Sequence, residues 1–297
     1  MNEPRKTIMR KEIVTIEKDL SDWELYDDTP VPIESKHPIP LEIFPSVISS
    51  IDDFKELIET ISFYRSFRCK HFFFRGHSDK KYSLVSTIGR TNLVKYSSEY
   101  EVFKKLKELC EAEGYSRFRM KSFNEELFYY GIGRHLGLTC RLLDWTAGIW
   151  QALSFALYEN DNCDAALWVM MLPNDYPLED RSPFSIEDNK IHILKEDYYR
   201  PDESTCFPLG IQRRSHQCGV FSVVKDSWIS SPLNEIPSES QCDFFCFIIP
   251  KEVKNSLRQD KSIINVEEWL YITKETQITD KIVKINHLIT NNTDNER

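Results

Sequence analysis

The chain has 297 residues, 41% of them hydrophobic and 12% aromatic, enough to fill a substantial core as one large domain or two small ones. A formal net charge of -9 argues against broad, nonspecific affinity for nucleic acid, which depends on cations neutralising phosphates. It leaves room only for a local basic groove, with residues 117–121 and Arg213-Arg214 as the candidates. Nine glycines without a glycine-rich loop count against a dinucleotide-binding turn. The longest apolar run is Phe244 to Ile249 and no signal-like stretch follows Met1, so the expectation is a cytoplasmic protein without a membrane segment. Eight scattered cysteines with no CxxC pair read as reduced, buried thiols, and no metal site is expected.

Residues 1–48, charged and broken by prolines at 31, 33, 38, 40 and 45, predict an extended N-terminal arm ahead of a domain over 49–290. Phe54, Leu57, Ile58 and Ile61 recur at helical spacing behind Ser50 as N-cap. His71 to Gly76, a short aromatic run ending at glycine, predicts a central strand. Two helices follow, each marked by a capping box, Ser98 with Glu101 and Ser122 with Glu125, and each stopped by glycine, Gly114 and Gly137. A third helix, over 147–158, carries a stripe of small apolar residues behind Thr146 as N-cap. Strands are predicted at Ala165–Met171, Cys218–Val224 and Phe244–Ile249, the last ended by Pro250. Residues 172–210 read as a long irregular insertion, suited equally to a lid or partner-binding loop and to a surface loop with no role. Strand, helices, then several strands is not a regular β/α alternation. The expected fold is therefore α+β, a mixed or mostly antiparallel sheet with packed helices.

Two segments concentrate polar chemistry. Arg75-Gly76-His77 ends a strand, where a guanidinium can hold a phosphate or carboxylate by two parallel hydrogen bonds and glycine can admit a ligand to the backbone. The run from His135 to Thr146 packs Thr139, Arg141, Asp144 and Thr146 just ahead of a helix. Arg141 and Asp144 either brace each other or bind a ligand, and Asp144 or Thr146 either caps the helix or joins the site.

Phe74-Arg75-Gly76-His77-Ser78-Asp79, Tyr82-Ser83-Leu84, Gly89-Arg90, His135-Leu136-Gly137-Leu138 and Thr139 to Thr146 resemble, in that order, the FRG domain family, named for its Phe-Arg-Gly motif. Arg214, Gln217, Gly219 and Phe221 also look like that family's later segment, so the resemblance spans roughly residues 50 to 272. The sequence departs from the pattern in placing Cys140 inside the Thr-x-Arg-Leu-Leu-Asp-Trp-Thr run, and its C-terminal part is similar only loosely. The resemblance implies an effector of a bacterial toxin-antitoxin or anti-phage defence system, with an antitoxin or regulatory protein as partner.

The order of segments is in turn similar to ADP-ribosyltransferases, which implies NAD as substrate and RNA, DNA or protein as acceptor. In that layout Arg75, with Gly76 and His77, grips NAD, Thr139, Arg141, Asp144 and Thr146 position it, and Glu268 supports the oxocarbenium-like centre, with Glu267 as the substitute. Two other readings compete. One is a nuclease using His77, His135 and Asp144 or Glu268; the other is a noncatalytic module that recognises a nucleotide or phage signal through Arg75, Arg141 and Gln217.

Overall fold

The computed structural model describes residues 40–68, 70–91, 96–119, 123–158, 161–195, 219–259 and 280–286. Its spine is an aromatic strand and an aliphatic one. β1 (Lys70–His77) pairs antiparallel with β3 (Ala165–Pro173) from Lys70↔Pro173 to His77↔Ala166. β3 is buried over nearly its whole length, the continuous apolar run of a strand covered on both faces. β3 also pairs with β7 (Asp243–Ile249), and on the other side β1 meets β2 (Leu143–Thr146), which pairs with β6 (Gly219–Val223). β5 (His192–Leu194) and β4 (Leu178–Glu179) complete a seven-stranded sheet in the order β4-β5-β6-β2-β1-β3-β7. Only the β4/β5 pair is parallel, so the described architecture is α+β with a mostly antiparallel sheet.

Alternation along the strands sorts the core into three clusters. Phe72, Phe74, Leu167, Val169, Phe247 and Ile249 point to a face covered by α1 (Ile51–Arg68), α4 (Ile149–Leu157) and α5 (Lys251–Gln259). Phe221, Val223 and Leu194 pack against α2 (Tyr96–Ala112) and α3 (Glu125–His135), together with Ile282 and Ile285 of α6 (280–286). Phe73, Leu143, Trp145, Met170 and Val220 face the other way, under loops that contribute Leu84 and Leu233.

Phe54, Leu57 and Ile61 are the buried stripe of α1, and Ser50 accepts the Asp53 amide as expected of an N-cap. Gly114 and Gly137 take the positive φ angles of helix stops, 78° and 93°. The other caps differ from expectation. α2 already begins at Tyr96, which places Ser98 inside it, and α3 is capped by Asn124, whose side chain accepts the Leu127 amide. Leu143–Thr146 is a strand rather than a loop leading into α4; its four residues are too few to show a period, and pairing on both sides makes it a strand.

Two expected irregular segments are tied to the sheet. Leu41, Phe44 and Ile48, from the end of the predicted arm, join the first cluster; the Ile48 amide donates to the Ile248 carbonyl of β7, and the Ile248 amide donates to the Ser46 carbonyl. The predicted insertion supplies β4 and β5 and buries Ile186, Ile191 and Ile193, strands two and three residues long that carry no legible alternation. Residues 1–39 and 196–210 of these segments lie outside the described residues. No helix among the described residues is long and apolar enough to cross a membrane.

Candidate functional site: an arginine cluster around one carboxylate

β1 and β2 are registered through Phe74↔Thr146, and a continued ladder would set Gly76 opposite Asp144. Instead, the Arg75 side chain enters that position. Its Nη1 donates to the Asp144 carbonyl at 2.6 Å and lies 3.6 Å from the Asp144 carboxylate, while its Nε donates to His77 Nε2 at 2.9 Å. The His77 ring is completed by the Tyr82 carbonyl, 3.0 Å from Nδ1. Because Nε2 accepts, Nδ1 carries the proton, so the ring is a neutral link between β1 and the Tyr82 loop.

Asp144 is the centre of the cluster. Arg134, one residue before the end of α3, clamps it by Nε to Oδ1 at 3.0 Å and Nη2 to Oδ2 at 2.6 Å, the bidentate fork that guanidinium and carboxylate share. Arg90 adds a third cation to the same field, and its Nε donates to the Val85 carbonyl. Both terminal nitrogens of Arg90, Nη2 of Arg75 and Nη1 of Arg134 make no hydrogen bond among the described residues. Among the described residues, three guanidiniums face one carboxylate, a balance of two positive charges, at a place where the Asp144 side chain is still 29% exposed.

The titration behaviour follows from this imbalance. Burial, with repulsion from Arg134 and Arg90 added, outweighs the pull of Asp144 and brings Arg75 down to about 10, still charged at neutral pH. Burial and then Arg134 lower Arg90. Burial, Arg75 and Arg90 hold His77 down at about 3, in keeping with its neutral role. Burial opposes the charged form of Asp144, yet Arg134 and Arg75 together keep its carboxyl below the usual carboxylate range. Among the described residues the cluster is thus a positive field.

The remaining predicted residues sit elsewhere or do other work. Gly76 serves packing: a Cβ there would stand 1.8 Å from the Ala152 carbonyl oxygen, so glycine lets α4 lie directly on β1 and offers no backbone to a ligand. Thr139 gives its amide to Asn286 of α6 at 2.8 Å, and Thr146 accepts the Gly148 amide at 3.1 Å; the N-cap of α4 is Gly148, not Thr146. Arg141 and Asp144 do not pair. Arg141, 3% exposed in its side chain, donates to Glu99 Oε2 through Nε at 2.9 Å and Nη2 at 2.6 Å and to Asp226 at 2.8 Å, beneath the Phe184 ring. Glu99, fully buried, also accepts from Tyr130 and from the Arg141 amide. Glu268, Glu267, Arg213, Arg214 and Gln217 lie outside the described residues.

Sequence reasoning brought Arg75, His77 and Asp144 to one place and missed Arg134 and the role of Arg90. Arg134 was legible in part, since a basic residue at the end of a helix stopped by Gly137 faces whatever strand follows. Residues 70–165 match the FRG domain, a span that holds every member of the cluster. The chain matches no curated protein and no solved structure.

Proposed function

Starting from a chain that carries an FRG domain over residues 70–165, we propose that the arginine cluster binds the pyrophosphate of NAD and that the protein transfers ADP-ribose to a macromolecule, as the effector of a bacterial toxin-antitoxin or anti-phage system. The observation that carries the ligand is the excess, among the described residues, of two positive charges around Asp144, with guanidinium nitrogens that make no hydrogen bond among those residues; the Tyr82 ring is half-exposed. Arg75, Arg90 and Arg134 offer donors to phosphate oxygens, and Tyr82 offers an aromatic face to a base. The effector setting is supported by the FRG domain alone, and its partner would be an antitoxin or regulatory protein.

In the transfer, the bond between C1′ of the ribose and the nicotinamide nitrogen breaks and nicotinamide leaves with the electron pair. A nucleophilic atom of RNA, DNA or protein bonds to C1′, and its proton passes to the Glu268 carboxylate and on to solvent. Labelled NAD, incubated with the purified protein and a cell lysate and resolved into protein, RNA and DNA fractions, tests this. Label should enter one fraction and be lost with Glu268→Ala and with Arg75→Ala while both variants stay folded; no transfer by the folded wild-type protein sinks the transferase reading.

A second reading, nucleotide recognition without turnover, is favoured by a different observation. Both His77 ring nitrogens are engaged and Asp144 is held ionised in a fork, so neither is placed to exchange a proton with substrate. That same geometry counts against the nuclease built on those two residues. Saturable binding of NAD or ADP-ribose with no release of nicotinamide would select recognition over transfer.

A further inference from the structure

Two residues, Ala147 and Gly148, separate β2 from α4, and Gln151 sits in the first turn of that helix. A glutamine there usually folds back to accept the N-cap amide as half of a capping box. Here Thr146 takes the Gly148 amide. Gln151 still folds back: its Oε1 lies 1.8 Å from where a Cβ on Gly148 would stand, a place open only because residue 148 is glycine. The residue is 1% exposed, yet Oε1 has no hydrogen-bond partner. Leaving such an atom unpaired in the interior costs about 1–3 kcal/mol. Gly219 pairs with Thr146 on the neighbouring strand, and the His135 ring lies against Gly219, its Cε1 3.8 Å from the virtual Cβ.

We propose that Gln151 and the first-turn amides of α4 form a subsite for a carboxamide, the nicotinamide end of NAD in the reading given above, on which this inference rests. A primary amide both donates and accepts, which answers an unpaired glutamine oxygen and helix-start amides together. The placement suits a ligand that spans two subsites. Asp144 and Thr146 are two residues apart on β2, about 7 Å along the strand, and alternation puts them on the same face. The anion cluster lies at the first and the carboxamide subsite at the second. Recognition of the amide separates NAD from its analogue with a carboxylate on the pyridine ring, which lacks the amide donor and adds a negative charge beside Gln151 Oε1.

Calorimetric titration of the full chain with ADP-ribose, NAD and the carboxylate analogue reads this out. The wild-type protein should bind NAD about tenfold more tightly than either of the others, the effect of one well-buried hydrogen bond. Gln151→Leu should abolish that preference, leave ADP-ribose affinity unchanged, and keep or raise the melting temperature, because it removes an unsatisfied atom; a glutamine that served only to cap α4 would lower it. Equal binding of all three by the wild-type protein overturns the subsite and leaves the anion cluster standing, with an ordered water at Gln151 as the explanation. Absence of binding by ADP-ribose and NAD alike overturns the reading beneath it as well. Should Gln151→Leu fail to fold, the wild-type comparison of NAD with its carboxylate analogue decides alone.

Discussion

Arg141 and Asp144, three residues apart, stand at the centres of two charged groups built to opposite balances. Around Arg141, two carboxylates from α2 and from the 226–228 turn answer one guanidinium, Tyr130 donates to the fully buried Glu99, and Phe184 closes over the top. Around Asp144, three guanidiniums answer one carboxylate among the described residues, and several of their nitrogens make no hydrogen bond there. The first group spends its hydrogen bonds inside the fold, where a charge left alone is costly. The second carries more positive charge than its neighbours balance, an arrangement that an incoming anion would complete. The comparison teaches that burial and charge balance, read together, separate a self-contained brace from a cluster whose charges are unbalanced among the described residues, even when both come from one short motif.

Breaking the brace should have the largest effect. Arg141→Ala removes the guanidinium that pairs with the fully buried Glu99, and denaturant unfolding should show a loss of about 3–5 kcal/mol. A loss within about 1 kcal/mol would mean that the Glu99 knot is not what holds α2 to the β2 segment.

Next comes pH, which acts through the link between β1 and the Tyr82 loop. The folded-state value of His77, about 3, lies below the ordinary 6.5, so the unfolded chain takes up the proton first as pH falls. The His77 contribution is whole above 6.5 and is lost progressively on the way down to about 3, with a slope of at most about 1.4 kcal/mol per pH unit. The depressed Asp144 carboxyl contributes in the same sense but lower, since its part is present above the ordinary carboxylate range and is lost as pH falls through its folded value. Stability measured between pH 7 and 4.5 should therefore fall in the wild type and be flatter in His77→Gln. An equal slope in both would remove His77 from that role.

The smallest effect on stability, and the sharpest on function, belongs to Arg90→Ala. Its exposed head braces little, so unfolding free energy should move by no more than about 0.5 kcal/mol, while affinity for ADP-ribose should drop about tenfold with the loss of a charged donor pair. Lost stability with unchanged affinity would place Arg90 with the structural arginines.

The identity of the Arg75 site was legible because an arginine at the end of an aromatic strand has few ways to be solvated, and the His135–Thr146 run was legible by sheer density of polar side chains. The roles within that run were not. Arg141 and Asp144 lie close enough in sequence to suggest a pair, yet Asp144 sits on a strand whose alternation turns it to α3, while Arg141 precedes the strand and meets Glu99 and Asp226, 42 and 85 residues away. Gly76 likewise read as a ligand-approach glycine, and only the closeness of α4 shows what fills the space beside it.

The sequence by itself determined the α+β order, the principal strands, the stripe of α1 and the glycine stops. These rest on local period, turn chemistry and composition, which a chain carries at every point. The tertiary structure alone decided that β2 is a strand, that short β4 and β5 extend the sheet, that Arg134 and Arg90 crowd Asp144, and that Gln151 keeps an unpaired atom beside Gly148. Each of those depends on which distant residue arrives to pair, neutralise or exclude water, and no local pattern records that arrival.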